Sequence, residues 1–220
     1  MPNLTEEINA SIHYTCWAVY ARTGSGEATL DGFAEQVADD GIVVRGYYDL
    51  SAMRADADLM VWFHGPDPVA LQAAARVLRR RLEPAGRPVW SGVGIHRPAE
   101  FNRRHVPAFL TGRKPEAWLT VYPFVRSLDW YLLPEDERGA MLREHGEMGR
   151  AYPQVIANTV SAFALGDYEW IIALESAELH DLVDLMRHLR YAEARRHVRL
   201  EVPFYTGRRI GASEAGELLR

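Results

Sequence analysis

A histidine set between methionines on one helix face is the most chemically suggestive feature of this sequence. Met141, His145, Met148 and Tyr152 follow one another at spacings of 4, 3 and 4, which aligns them on one side of a helix. An imidazole on such a stripe has two readings. It is a core histidine bonded to a backbone carbonyl, or an axial ligand to haem-type iron through a neutral ring nitrogen. Gly146 and Gly149 stand beside it. Each costs a helix about 1 kcal/mol relative to alanine, and each removes a side chain that would hold a flat, bulky group away. No CxxCH run is present, so covalent c-type attachment is excluded.

Other residues could work with it. Leu182, Met186, Leu189 and Glu193 repeat the 4, 3, 4 spacing, so a carboxylate ends an apolar stripe. A buried carboxylate is expensive unless paired. Glu193 either bridges to Arg195 or Arg196, or accepts the second N–H of a ligand histidine and fixes its tautomer. Trp118, Thr120, Tyr122 and Phe124 alternate along a strand, with Arg126 just beyond. A tyrosine and an arginine converging at a strand end can hold a carboxylate; a core tyrosine and a surface arginine are the plainer reading. Asn158 alternates with Ile156 and Val160, which makes it a polar group in an apolar pocket. His105 lies in a polar linker among arginines and by itself reads as a surface histidine.

The elements that must position these residues come in two sets. Residues 12–22, 42–50, 57–65 and 88–97 read as strands, and 27–40 and 68–82 as helices. The order β-α-β-β-α-β is a ferredoxin-like unit. Strands at 117–125, 154–165, 168–175 and 197–205 with helices at 134–152 and 177–194 repeat it. Asp58-Leu-Met-Val-Trp62 and Asp167-Tyr-Glu-Trp-Ile171 mark the repeat, 109 residues apart. The fold class expected is therefore α+β, two fused ferredoxin-like halves, 1–111 and 112–220, joined through a linker at about 97–116.

The chain has 220 residues, 48% of them hydrophobic and 25% charged, which is globular rather than disordered. Its net charge of −5 argues against a broad nucleic-acid footprint. No run approaches the roughly 20 apolar residues of a membrane span. The start MPNLTEEINA lacks the basic-then-apolar order of a signal peptide. With a single cysteine, Cys16, these features give the expectation of a soluble cytoplasmic protein.

Long ordered motifs carry a resemblance. YPFVRS, WYLLP, REHG, ALGDYEW and EVPFYTG, with INASIHYTCWAVY and ADADLMVWFHG nearer the N-terminus, resemble the chlorite dismutase-like superfamily and, within it, the actinobacterial-type branch of the coproheme decarboxylases. The resemblance implies a dimeric α+β barrel in which only the C-terminal half binds porphyrin, assembled as a homopentamer. It implies hydrogen peroxide-dependent conversion of two propionates of Fe-coproporphyrin III (coproheme) into vinyl groups, giving haem b. His145 matches the iron ligand, Tyr122 the redox-active tyrosine, Arg126 a propionate-steadying residue, His105 a distal histidine, Trp130 an aromatic that shares oxidising equivalents, and Glu193 the carboxylate near the iron ligand.

The chemistry agrees with these residue types. A histidine can take a proton from peroxide near neutral pH, and a phenol can give up an electron and a proton together, becoming a tyrosyl radical that takes hydrogen from a propionate. Because two propionates share one tyrosine, the intermediate is expected to rotate, in a pocket kept roomy by a small residue such as Ala157 or Asn158. Chlorite-splitting members carry an arginine 13 residues beyond the iron ligand; this chain has Asn158. The interval from Tyr122 to Trp130 is shorter than in firmicute-type enzymes. Other readings are a haem carrier or sensor without turnover, a weak peroxidase or chlorite-degrading relative, and an interaction module without cofactor. A ferrochelatase that hands over coproheme is a possible partner.

Overall fold

A computed structural model describes residues 3–98 and 106–220 of the chain. The N-terminal half contains strands β1 (Tyr14–Arg22), β2 (Val43–Asp49), β3 (Leu59–Gly65) and β4 (Gly86–Ile95), with helices α1 (Leu4–Ala10), α2 (Phe33–Ala38) and α3 (Pro68–Leu82). The C-terminal half contains β5 (Trp118–Arg126), α4 (Glu135–Gly149), β6 (Ile156–Ser161), β7 (Trp170–Ser176), α5 (Leu179–Leu189), β8 (Val198–Leu200), β9 (Tyr205–Ile210) and α6 (Ala212–Glu217).

Local chemistry sets the element ends. Helix α3 starts where the Asp67 carboxylate accepts the Val69 N–H at 2.8 Å, with Pro68 in its first turn. It ends on Arg79, Arg80 and Arg81, which favour the negative end of the helix dipole. Leu71, Ala74, Leu78 and Leu82 bury its inner stripe. Helix α2 is shorter than the 27–40 expected. Gly32 precedes it with φ +71°, a left-handed conformation that glycine adopts without strain, and 27–32 instead runs as non-helical chain that buries Ala28 and Leu30. Helix α1 is additional to the expected elements, and Asn3 and Glu6 form a capping box at its start. The strand expected at 197–205 is split into β8 and β9, with Pro203 between them; proline has no N–H to give a ladder.

Strand order is β4-β1-β3-β2 in the first half and β6-β7-β5-β9 in the second, and both follow the same antiparallel ferredoxin-like pattern. Further pairings, β2 with β9 and β4 with β6, connect the halves, so the ladder returns on itself. The layers are unequal. Between the halves lies a core of Trp17, Met60, Trp62, Leu119, Val121, Ile171 and their neighbours. Outside the first half, α2, α3 and α6 seal a cluster of twenty buried residues. Outside the second half, the cluster beneath α5 has four buried members among the described residues, Tyr122, Leu174, Leu182 and Leu185, with nine partly buried residues against it. Helix α4 buries only Gly139. The outer layer of the C-terminal half is thus loosely filled, and that is the face on which the chemistry-bearing residues lie.

Candidate active site

Strand β5 brings Tyr122 and Arg126 to this layer. Across the sheet Tyr122 faces Ile172 of β7, and its side chain belongs to the outer cluster beneath α5. Its ring stacks on Phe204 at 4.4 Å and 17°. Its hydroxyl donates to the Met186 sulfur at 3.5 Å. Sulfur is a weak acceptor, so the O–H is held only lightly. Burial raises the phenol pKa above its ordinary value; the Glu201 carboxylate adds to this, while Arg190 and Arg195 oppose it. Tyr122 therefore keeps its proton at neutral pH.

The register of β5 against β8 slips between Val125 and Arg126, an irregularity of the kind that re-aims a side chain. The Arg126 guanidinium lies 4.1 Å over the Trp130 ring and 5.0 Å over Phe124, and one nitrogen donates to the Ala194 carbonyl at 3.4 Å. Its backbone N–H is held by Glu169. Burial lowers its pKa, though a guanidinium stays charged. Trp130 sits buried in a 3-10 turn, Trp130–Leu132, with the His197 ring 5.4 Å away.

His145 lies on α4 as its spacing predicted: Met141, His145, Met148 and Tyr152 are all half-buried, while Arg143, Glu144 and Glu147 are exposed. Burial lowers its pKa, and the Arg126 charge lowers it further against the opposing pull of Glu144 and Glu201. The imidazole is consequently neutral near pH 7, the state in which it can ligate a metal. A Cβ added at Gly146 or Gly149 would meet nothing within 4 Å. Among the described residues, no group of three or more His, Cys, Asp or Glu could hold a metal ion. One imidazole suits a metal that brings its own in-plane ligands, as haem iron does. Tyr122, Arg126, Trp130 and His145 thus belong to one region. His105 lies outside the described residues.

Two expected members are placed elsewhere. Asn158 is fully buried, but it faces the core between the halves, opposite to Tyr122: it pairs with Ala173, whereas Tyr122 pairs with Ile172. Its amide donates to Glu175 at 2.9 Å and its oxygen accepts the Phe109 N–H at 3.0 Å. Glu175 is in turn bonded by Arg45 at 2.7 Å, from a bulge in β2. The Glu116 N–H and the Arg113 carbonyl complete this network. Asn158 therefore anchors the linker to both halves, and Ala157 is the small residue that shares Tyr122's face. Glu193 does not end the α5 stripe. The helix stops at Leu189, and Glu193 enters a 3-10 turn, exposed and paired with Arg196 at 3.0 Å. Buried Ala192 and Ala194 pull the chain inward on either side of it.

Arg190 and Glu201 carry no role in the sequence analysis, and Arg195 appears there only as a partner for Glu193. Glu201 accepts from Arg190 at 2.5 Å and lies 3.0 Å from Arg195. The available signal is the glutamate that opens the EVPFYTG motif, with two arginines upstream of it.

The chlorite dismutase family model matches residues 24–210. The chain belongs to this family. It is 51% identical over 216 residues to a coproheme decarboxylase of Mycolicibacterium smegmatis, covering 93% of each chain. It is 27% identical over 175 residues to one of Thermus thermophilus, covering 74% of this chain and 70% of that protein. Among solved structures, a mutant chlorite dismutase of Candidatus Nitrospira defluvii superposes with a TM-score of 0.79 at 20% identity, covering 94% of this chain and 95% of that one; a second variant gives 0.78 at 19%, covering 96% and 97%. These structures speak for the fold. The outer layer of the C-terminal half supplies the residues from which function must be argued.

Proposed function

We propose that the chain is a coproheme decarboxylase, an oxidoreductase that converts two propionates of Fe-coproporphyrin III into the vinyl groups of haem b. The observation that carries this reading is that a half-buried His145 on α4 and a buried Tyr122 on β5 lie in the same outer layer of the C-terminal half, both within reach of the Glu201 charge. The near-full-length relative named for this reaction supports it.

In this reading the C-terminal half, 112–220, takes the porphyrin, and the first half, 1–111, serves structure and assembly. His145 ligates the iron of the substrate, and the glycines beside it leave room for the ring. With peroxide as oxidant, each event balances as one propionate, one hydrogen peroxide and one proton giving one vinyl group, carbon dioxide and two waters. The bound iron supplies the redox chemistry that spends the peroxide. Tyr122 gives up its hydroxyl hydrogen as a proton and an electron, and the tyrosyl oxygen then takes a hydrogen atom from the propionate β-carbon. Its weak bond to Met186 leaves that hydroxyl free to turn toward a ligand. Arg126 steadies a propionate, and the Trp130 ring beneath it shares oxidising equivalents. His105 takes the peroxide proton. Ala157 leaves space for the intermediate to rotate, and Asn158, 13 residues beyond His145, brings no guanidinium to retain hypochlorite.

The assembly proposed is a homopentamer in the cytoplasm, supplied with coproheme by a ferrochelatase. Among the described residues no helix is long and apolar enough to cross a membrane. The decisive experiment mixes the apo-protein with coproheme and limiting peroxide and weighs the extracted porphyrin. Loss of two carboxyl groups through a three-propionate intermediate is expected; bound porphyrin with four intact propionates would mean binding without turnover and would refute the assignment.

A further inference from the structure

Three charged residues unassigned so far stand beside Tyr122. The Tyr122 hydroxyl touches Met186, and Arg190 lies one helical turn further along the same face, at the end of α5. On the other side the Tyr122 ring stacks on Phe204, three residues after Glu201. Glu201 closes the gap between these two approaches through its contacts to Arg190 at 2.5 Å and Arg195 at 3.0 Å. Its side chain is 16% exposed, against 40% for Arg190 and 38% for Arg195. The arginines thus present part of their surface to solvent while a single carboxylate sits between them. Two positive charges against one negative leave the cluster net cationic. Planar guanidiniums that already hold one carboxylate have the geometry to take another.

We infer that Arg190 and Arg195 form a receiving site for carboxylate side arms of the substrate, and that Glu201 occupies it in the free chain as an internal stand-in which a propionate displaces. This inference rests on the porphyrin reading above and adds to it the residues that select an acidic tetrapyrrole. Displacement also matters for Tyr122, because Glu201 lies on the short connection that carries its stacking partner, Phe204. A ligand that engages the arginines releases the residue that tethers this connection to α5, next to the phenol.

The test is an equilibrium titration of the apo-chain, followed by tryptophan fluorescence quenching, with two probes: coproheme and its tetramethyl ester, which has the same macrocycle and no charged arms. Removing the internal competitor by Glu201→Gln should tighten coproheme binding by about tenfold at low ionic strength, an advantage that added salt reduces. Ester affinity should not change. Arg190→Gln and Arg195→Gln should each weaken coproheme binding and narrow its preference over the ester. Glu201→Gln that folds normally but binds coproheme equally or more weakly would overturn the stand-in role. If that variant does not fold, the arginine variants decide, and unchanged coproheme affinity in both would overturn the site. Failure of the unaltered chain to bind coproheme would instead remove the porphyrin reading itself.

Discussion

Replacing Tyr122 with phenylalanine separates what its ring does for the fold from what its hydroxyl does for the reaction. The ring is 5% exposed and stacked on Phe204, so phenylalanine keeps nearly all of its apolar packing. The hydroxyl's hydrogen bond goes to the Met186 sulfur at 3.5 Å. An ordinary hydrogen bond contributes about 0.5–1.5 kcal/mol net, and a long bond to sulfur contributes less, while burying the O–H works against it. The variant should therefore differ in stability by under about 1 kcal/mol, equivalent to some 2–4 °C in melting temperature for a chain of this size. Coproheme affinity should stay within a few-fold. Vinyl formation should fall by at least about a hundredfold, the lower range for losing a group that transfers a proton in the reaction. Calorimetry, equilibrium titration and mass analysis of the porphyrin after peroxide addition measure the three quantities. A variant that still converts coproheme within a few-fold of the normal rate would refute the radical role. One that melts much lower would refute the packing account, because it would mean that the hydroxyl has a stronger partner than Met186.

Three further outcomes are expected. His145→Ala should abolish the imidazole-ligated spectrum of bound coproheme, and added imidazole should restore it; an unchanged spectrum would place the iron on another residue. His64 is buried and bonded to His13 at 2.8 Å, a contact that needs one neutral acceptor nitrogen. Burial, His13 and Arg45 lower its pKa to about 3. The unfolded chain binds this proton near pH 6.5 and the folded chain does not, so stability is full above 6.5 and falls as pH drops toward 3, by up to about 1.4 kcal/mol per pH unit from this group. A His64→Phe variant should show a flatter acid limb in pH-dependent denaturation. Arg45→Met leaves Glu175, which is fully buried, without its cation; breaking such a pair costs about 3–5 kcal/mol, readable by urea denaturation, and a loss below about 1 kcal/mol would show that the network is not closed as described.

Much of the architecture was legible because it depends on local periodicity. Helix α3 follows from Asp67, Pro68 and the leucine spacing, and the α4 stripe from the 4, 3, 4 interval through His145. The repeated β-α-β-β-α-β order likewise reflects alternating periods of two and 3.6, which any stretch of chain declares by itself. Asn158 was harder to place. Consecutive strand residues point to opposite faces, but which face of β6 meets Tyr122 and which meets Arg45 depends on its pairing with β7 and β5 across the sheet, which spacing within β6 does not record.

The same distinction separates the residues of the site. By itself the sequence determined that the chain carries His145 on a half-apolar helix and Tyr122 and Arg126 on one strand, because helix and strand spacing act over a few residues. Tertiary structure alone decided that α5 stops before Glu193, where buried alanines and a contact from the Glu193 N–H to Glu144 outweigh good helix formers. It also decided that Glu201 lies between Arg190 and Arg195, and that the outer layer over β5 is left underfilled. Each of these depends on contacts between segments far apart in the chain, whose free energy no local pattern records.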